Sequence, residues 1–281
     1  MARPEDGSAT TRRTFLRSLL ALAVGGTAGL GAHGYWYARH DLALTATDVP
    51  VPGLPVALGG LRVALITDLH RSATVSHAFI RRAVDLAMAS APDLVVLGGD
   101  YVTWGDRAFV EPAAEALAGL TAPLGVFAVL GNHDDDRDMP AALARQGVVV
   151  LRDARTELTT RGERLDLIGI RFWTRREADI AALLRGAGPA RVLLAHDPRR
   201  FVEATALGIP LVLSGHTHGG QVVLPLIGAP AARKFPVLSG LARRGSTTMF
   251  VSRGVGTVYV PVRVACPPEV ALLTLRPAPA A

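Results

Sequence analysis

The sequence predicts an α/β domain, and three observations carry that prediction. Half of the 281 residues are apolar and 29 are glycine, a composition suited to packed layers joined by tight turns. Short continuous apolar runs alternate with stretches of helical periodicity. The side chains able to do chemistry stand directly after the apolar runs, where an α/β sheet opens its crevice.

Taken in order, the chain begins with Thr11-Arg12-Arg13-Thr14-Phe15-Leu16-Arg17, then an apolar run rich in Ala and Gly from Leu19 to about Leu30. Paired arginines ahead of a mild hydrophobic segment resemble a twin-arginine export signal, with Phe15 and Leu16 where that pattern places bulky apolar residues. The run is marginal for spanning a bilayer, and Tyr35-Trp36-Tyr37 would supply an interfacial aromatic end. No clear small-residue cleavage site follows, so residues 1–44 are either a removable signal or an uncleaved anchor. A segment punctuated by Pro and Gly, 45–60, reads as an extended lead-in. The domain itself is expected over 61–276, with a Pro/Ala tail at 277–281. Strands are expected at 62–67, 94–98, 126–130, 148–151, 165–170, 191–195, 211–214, 221–224, 248–252 and 270–275. Several are uninterrupted apolar runs, as strands buried on both faces require. Helices are expected at 76–89, 111–120, 139–146, 177–184 and 198–207. In the first, Phe79, Ile80, Ala83, Val84, Ala87 and Met88 form one apolar stripe.

The net charge of +6 divides evenly: +3 lies in the first forty residues and +3 in the remainder. That remainder carries no basic stripe, so dedicated nucleic-acid binding is not expected. The single cysteine, Cys266, excludes an intramolecular disulfide and a thiolate metal cluster. It lies far along the sequence from every motif and reads as a small buried hydrophobe.

Five motifs follow five expected strands. They are Asp68-Leu69-His70, Gly98-Gly99-Asp100, Gly131-Asn132-His133-Asp134, His196-Asp197 and Gly215-His216-Thr217-His218. Carboxylate, imidazole and amide oxygen together suit Mn, Fe or Zn, and the lack of thiolates argues against a structural zinc site. An Asp-x-His pair leaving a strand end would place both side chains on one side, at period two. His216 and His218 repeat the spacing. Asp100 stands behind two glycines, which leave the backbone room to bring it close, as a ligand shared between two cations would need. Each motif alone is weak; the ordered set is specific.

The ordered motifs resemble the calcineurin-like metallophosphoesterases over roughly residues 61–275. The arginine-led start and the wording Gly215 to Gln221 resemble its exported bacterial branch, the YaeI-like phosphodiesterases. The resemblance implies a β-sandwich flanked by helices with its metals at the strand carboxyl ends. It implies two divalent metal ions (Mn, Fe or Zn): Asp68, His70 and His218 on one, Asn132, His196 and His216 on the other, and Asp100 bridging. Gly99, Gly131 and Asp134 would support the loops. The implied reaction is phosphodiester hydrolysis by a metal-bridging hydroxide. His133 would be the catalytic acid or transition-state stabiliser, with Asp134 a candidate to orient its ring.

The aromatic stretches around Trp104 and Trp173 either cover the site or serve as loop packing. An envelope location, periplasmic or held at the inner membrane, points to a lipid-linked or wall-derived phosphoester as substrate and to the twin-arginine machinery as an export partner. A pyrophosphatase acting on UDP-linked acylglucosamine is the alternative enzyme. A metal-binding scaffold without turnover is the alternative of another class, and the complete set of Asp68, Asp100, His133, His216 and His218 argues against it. His33, His40 and His77 fall outside the set and are expected at the surface or in the signal region.

Overall fold

The computed structural model describes residues 12–224, 226–230 and 234–279. Thr11 of the arginine motif and the last two residues of the expected tail lie outside the described residues. Two six-stranded sheets face each other. The first runs β1 (Ala43–Pro52), β12 (Glu269–Ala278), β2 (Arg62–Ile66), β3 (Leu94–Leu97), β4 (Val126–Ala128) and β5 (Val149–Val150). The second runs β10 (Gly240–Arg244), β11 (Thr247–Val251), β9 (Leu211–Ser214), β8 (Arg191–Leu194), β7 (Glu163–Gly169) and β6 (Ala154–Thr160).

Within the first sheet β2, β3, β4 and β5 are parallel. Within the second, β7, β8, β9 and β11 are parallel. Parallel strands need crossovers, and helices supply them. Helices α2 (His77–Ala89), α3 (Val110–Ala116) and α4 (Met139–Arg145) pack on the outer face of the first sheet, in a core that includes Ile66, Ile80, Val84, Leu97 and Leu143. Helices α5 (Glu177–Leu183) and α6 (Phe201–Ala206) cover the second through Ile168, Ile180, Leu193 and Phe201. Between the sheets lies a third core, with Val63, Leu65, Phe127, Leu167, Leu194, Leu213, Phe250 and Leu273. The result is a four-layer α/β/β/α sandwich. Strands β3, β4 and β9 are buried at every residue, as their unbroken apolar sequences predict. Ser76 caps α2, its hydroxyl accepting from the Phe79 N–H at 3.2 Å, which satisfies one of the helix's free donors.

Several elements differ from expectation. The 45–60 segment is extended, but its first part is β1, an edge strand paired in parallel with β12, so the sheet begins at Ala43 and not at residue 61. Pro50 and Pro52 lack the donor that a central strand needs, which hides the strand in the sequence and confines it to an edge. The stretch 221–224 makes only isolated bridges, Val222 to Val264 and Leu224 to Gly228. Strands β6 and β10, rich in Thr and Arg, are edges with half-exposed faces. At the start, α1 (Arg12–Trp36) is a continuous helix of 25 residues, about 37 Å long and sufficient to cross a bilayer. Its side chains from Arg13 to Leu30, where described, are exposed.

Candidate metal centre

The parallel strands of both sheets deliver their carboxyl ends to one crevice. Strands β2, β3 and β4 release Asp68, Asp100 and Asn132, and β8 and β9 release His196 and His216. The Asp-x-His pairs do not hold their direction by strand periodicity. β2 ends at Ile66, and both Asp68 (φ 55°) and His70 (φ 47°) take the left-handed backbone conformation. So do Asp100 (φ 58°), His216 (φ 72°) and His218 (φ 52°). Each non-glycine residue there costs about 1–2 kcal/mol. Five such residues in one crevice mark a site whose geometry is imposed by its surroundings.

Glycines make that geometry accessible. A methyl group on Gly131 would lie 2.0 Å from Asp100 Oδ1, and one on Gly99 would meet Gly131 N at 2.6 Å and His196 Nδ1 at 2.9 Å. Asp68 is enclosed in the same way, with Gly215 and Gly254 bringing bare backbone to its side chain. Its carboxylate accepts from the Thr67 hydroxyl and from the His216 N–H at 3.0 Å. Asp100 Oδ1 accepts the His133 N–H at 2.9 Å, which leaves Oδ2 turned toward the histidines.

Asp134 is the organising centre of the adjoining loops. Its carboxylate accepts the N–H groups of Asp100, Tyr101, Gly131 and Val102 at 2.8, 2.6, 2.8 and 3.3 Å, so four loop donors converge on one side chain. The expectation that Asp134 orients the His133 ring is therefore corrected: among the described residues its hydrogen bonds go to backbone N–H groups. The His133 ring is set instead by the Trp104 N–H, which donates to Nδ1 at 3.1 Å, and by the Trp104 indole 4.4 Å away. An occupied Nδ1 lone pair puts the neutral ring's proton on Nε2.

The other rings are also fixed from behind. His196 Nδ1 donates to the Gly98 carbonyl at 2.7 Å and His70 Nδ1 lies 3.1 Å from the Thr103 hydroxyl. Their Nε2 atoms face the crevice, the usual arrangement of metal-binding imidazoles. His70 Nε2 and His218 Nε2 approach to 3.0 Å, and His218 Nε2 lies 3.5 Å from Asp68 Oδ1. Asp100 Oδ2 stands 3.5 Å from His70 Nε2 and 3.1 Å from His196 Nε2.

Electrostatics agree with this crowding. Burial, opposed by the Asp100 carboxylate, lowers the pKa of His70 to about 3. Burial, aided by His70, holds His218 well below the ordinary value, and burial with His196 brings His216 to about 4. Burial raises Asp68 to about 6 and Asp134 to about 7. Burial also works against the charged forms of Asp100 and His196, but their mutual attraction outweighs it: Asp100 is held below the usual carboxylate range and His196 is raised to about 10. The apoprotein thus gathers neutral imidazoles around buried carboxylates, with one imidazolium as counter-charge. Such donors release protons when a cation takes their lone pairs.

The residues fit a metal centre on this structure's own evidence. Two groups, Asp68 with His70 and His218 and Asp100 with His196 and His216, each keep their donor atoms within 4.8 Å of one another. Asn132 Oδ1 is buried without a hydrogen-bond partner, a costly state that a coordinated cation would relieve. Every expected ligand except Asn132 falls in one of the two groups, and the Asn132 neighbours Gly131 and His133 both touch Asp100.

Of the aromatic candidates, Phe172 packs on His216 with ring centroids 5.4 Å apart and Trp104 flanks His133; Trp173 is exposed beside Phe172. Sequence reasoning missed Thr67, Gly254, Tyr259 near Trp104, and Phe235, 5.2 Å from the His216 ring. Only Gly254 carries a sequence signal, as one glycine of Gly254-Val255-Gly256. His33, His40 and His77 are exposed, as expected. Cys266 is buried, yet not remote in space: its S–H donates to the His218 carbonyl at 3.1 Å.

Comparison with known proteins places this centre in a family. The profile of the calcineurin-like phosphoesterases matches residues 61–220. Phosphodiesterase YaeI of Escherichia coli is 31% identical across 94% of this chain and 99% of its own length. An uncharacterised metallophosphoesterase of Bacillus subtilis, YkuE, is 27% identical across 95% and 98%. A Danio rerio transmembrane protein with metallophosphoesterase domain is 32% identical across 94% of this chain, which spans 64% of that longer protein. The chain belongs to the calcineurin-like metallophosphoesterases, hydrolases of phosphoester bonds that use divalent metals, and to their YaeI-like branch.

Proposed function

We propose that the chain is a phosphodiesterase with a dinuclear centre, in which Asp68, His70 and His218 hold one divalent cation, Asn132, His196 and His216 hold the other, and Asp100 is shared. The position of Asp100 carries the reading. Its Oδ2 lies within 3.5 Å of a ring nitrogen from each group, His70 and His196, while Oδ1 is engaged by the His133 N–H. When bound, two cations supply an activated water and neutralise the phosphoryl oxygens. The remaining work falls to the protein. Asp134 fixes the loops of Asp100 and Gly131, and Gly98 O and Thr103 Oγ1 aim His196 and His70. His133, neutral because burial lowers its pKa, presents Nε2–H as a donor to the oxygen that leaves phosphorus. Manganese is the first metal to test, because oxygen and imidazole ligands suit it. Residues 12–36 suit an export signal or anchor that places the enzyme on the outer side of the inner membrane.

Leaving-group dependence tests the assignment of His133. Manganese-loaded wild type and His133→Ala are compared on an alkyl phosphodiester and on bis(4-nitrophenyl) phosphate. The alkyl ester should lose roughly 10²–10³-fold in rate, the usual effect of removing one placed donor. The nitrophenyl ester, whose leaving group needs little help, should lose far less, with metal content unchanged. Equal losses on both esters together with missing metal would mean that His133 supports the ligands and not the departing oxygen.

A further inference from the structure

The loops that close the metal crevice also hold the end of the apolar helix. Gly34, in the last turns of α1, is pressed so closely on Val262 and Arg263 that a methyl group would lie 2.7 Å from Val262 Cγ1 and 2.6 Å from Arg263 O. The Arg263 N–H donates to Gly34 O at 3.3 Å. Val264 in turn bridges to Val222, and the Gln221 amide donates to Val258 O and Val260 O at 3.0 and 2.8 Å. One connected framework therefore joins the helix end, the 258–264 loop and the turn closed by the Leu224–Gly228 bridge.

The tips of this framework are apolar and bare. Leu226 is fully exposed, Ile227 is 74% exposed and Tyr259 is 77% exposed, with Val260 beside it. Tyr35, Trp36 and Tyr37 are exposed at the end of the helix itself, like the aromatic residues that sit at membrane interfaces. Water gives no reason to display so many large apolar groups on neighbouring loops. A cation stands among them: Lys234, the chain's one lysine, lines the same cavity as Tyr259 and Val260. Anionic lipid headgroups attract such a charge. From the Tyr259-Val260 tip to the metal ligands runs a cavity of about 300 Å³, bounded by His216, His218, Lys234, Phe235, Val258 and Tyr259. It joins an apolar, cationic rim to the ligand side chains.

We infer that Leu226-Ile227 and Tyr259-Val260 form a lipid-facing surface that seats the mouth of the crevice on the membrane, and that the substrate is a phosphoester carried by a membrane lipid. The second half of this inference rests on the phosphodiesterase reading above. A lipid headgroup enters the cavity along Lys234 toward the metal ligands, and its chains stay among the apolar tips.

The test uses the full chain in vesicles of phosphatidylglycerol and phosphatidylcholine whose acyl chains carry bromine. An environment-sensitive fluorophore is attached at Ile227→Cys or, independently, at Tyr259→Cys; native Cys266 is buried. Control labels go at the exposed positions Val149 and Val202, on β5 and α6. Labels at 227 and 259 should lose much of their emission to brominated lipid, and the controls should lose none. Quenching at 227 and 259 no greater than at 149 and 202 would overturn the lipid-facing surface. For the substrate, a nitrophenyl phosphodiester lipid in the vesicles is compared with soluble bis(4-nitrophenyl) phosphate. The double replacement of Leu226 and Ile227 by Asp should lower the ratio of vesicle to soluble rate about tenfold, the scale expected when two large apolar side chains no longer enter the lipid. An unchanged ratio overturns the lipid substrate. Wild type inert toward both esters would refute the phosphodiesterase reading, while the quenching result still decides the surface.

Discussion

Replacing Gly131 with alanine tests the position of Asp100 separately from every other feature of the site. Gly131 lies outside the left-handed region that favours glycine, so the new methyl group is the main change. That carbon would stand 2.0 Å from Asp100 Oδ1, 2.6 Å from its Cγ and 2.7 Å from its N. Carbon and oxygen rest at roughly 3.5 Å, so the carboxylate or the loop must yield by about 1.5 Å. The neighbours cannot absorb this freely, because Asp134 holds both the Asp100 and Gly131 N–H groups at 2.8 Å. Overpacking of this kind costs about 1–3 kcal/mol, and an error of about 1 Å in a positioned group costs about 10²-fold in rate. The expected variant therefore melts a few degrees lower, loses roughly a hundredfold or more in phosphodiester hydrolysis, and binds less than its full complement of metal.

The control is Gly147→Ala. Gly147 has φ 77° and open space around its Cα, so alanine there costs about 1–2 kcal/mol of backbone strain far from the crevice. Its melting temperature should fall comparably while rate and metal content stay at wild-type values. Calorimetry, metal analysis and turnover of bis(4-nitrophenyl) phosphate on the three proteins separate the two effects. A Gly131→Ala enzyme with wild-type rate and metal content would refute the claim that the closeness of Asp100 to the Gly131 backbone sets the site.

Two further outcomes are expected. Substituting Arg12 and Arg13 by lysine should leave folded, active protein in the cytoplasm, because the pair is read by an export receptor and not by the fold; cell fractionation checks this, and normal export of the variant would refute the signal. Asp166, buried, accepts from Arg164 Nε and Nη2 at 2.9 and 2.8 Å and from the Gly188 N–H at 2.7 Å. Burial opposes its charge, but the Arg164 hydrogen bonds outweigh it and hold its pKa below the ordinary value. A carboxyl that binds its proton less tightly folded than unfolded contributes fully above the unfolded value of about 3.9 and loses that contribution as pH falls through the folded value. Asp166→Asn should therefore melt lower than wild type at pH 7, and the gap should narrow below about pH 4. A gap independent of pH would assign the effect to packing.

The centre was legible because buried strands advertise their ends. An apolar run that stops at Thr67, Gly98 or Ser214 and continues into Asp, His or Gly marks a carboxyl end, and five such ends can meet only in a crevice. The backbone conformation was not legible: Asp68-Leu69-His70 looks like period-two alternation, yet two left-handed residues set its direction. Nor were groups that reach the site without polar motifs. Arg263, wholly buried with its pKa lowered by burial to about 10, donates to the carbonyls of Arg253, Gly254, Gly256 and Cys266. It thereby holds the loop that presses on Asp68, and nothing in Val262-Arg263-Val264 announces a buried guanidinium. Edge strand β1 was hidden by its prolines, and β6 and β10 by side chains suited equally to a surface loop.

Metal stoichiometry tests the dinuclear account most directly. The protein is stripped of metal, its inactivity is verified, and manganese is returned in steps while bound metal and turnover are measured together. The account predicts close to two ions per chain at full activity. Asp100→Asn, which weakens the shared ligand, should bind neither ion well. Asp68→Asn should impair chiefly one. Full activity in the stripped protein, or a plateau at one ion per chain with Asp100→Asn unimpaired, would contradict it.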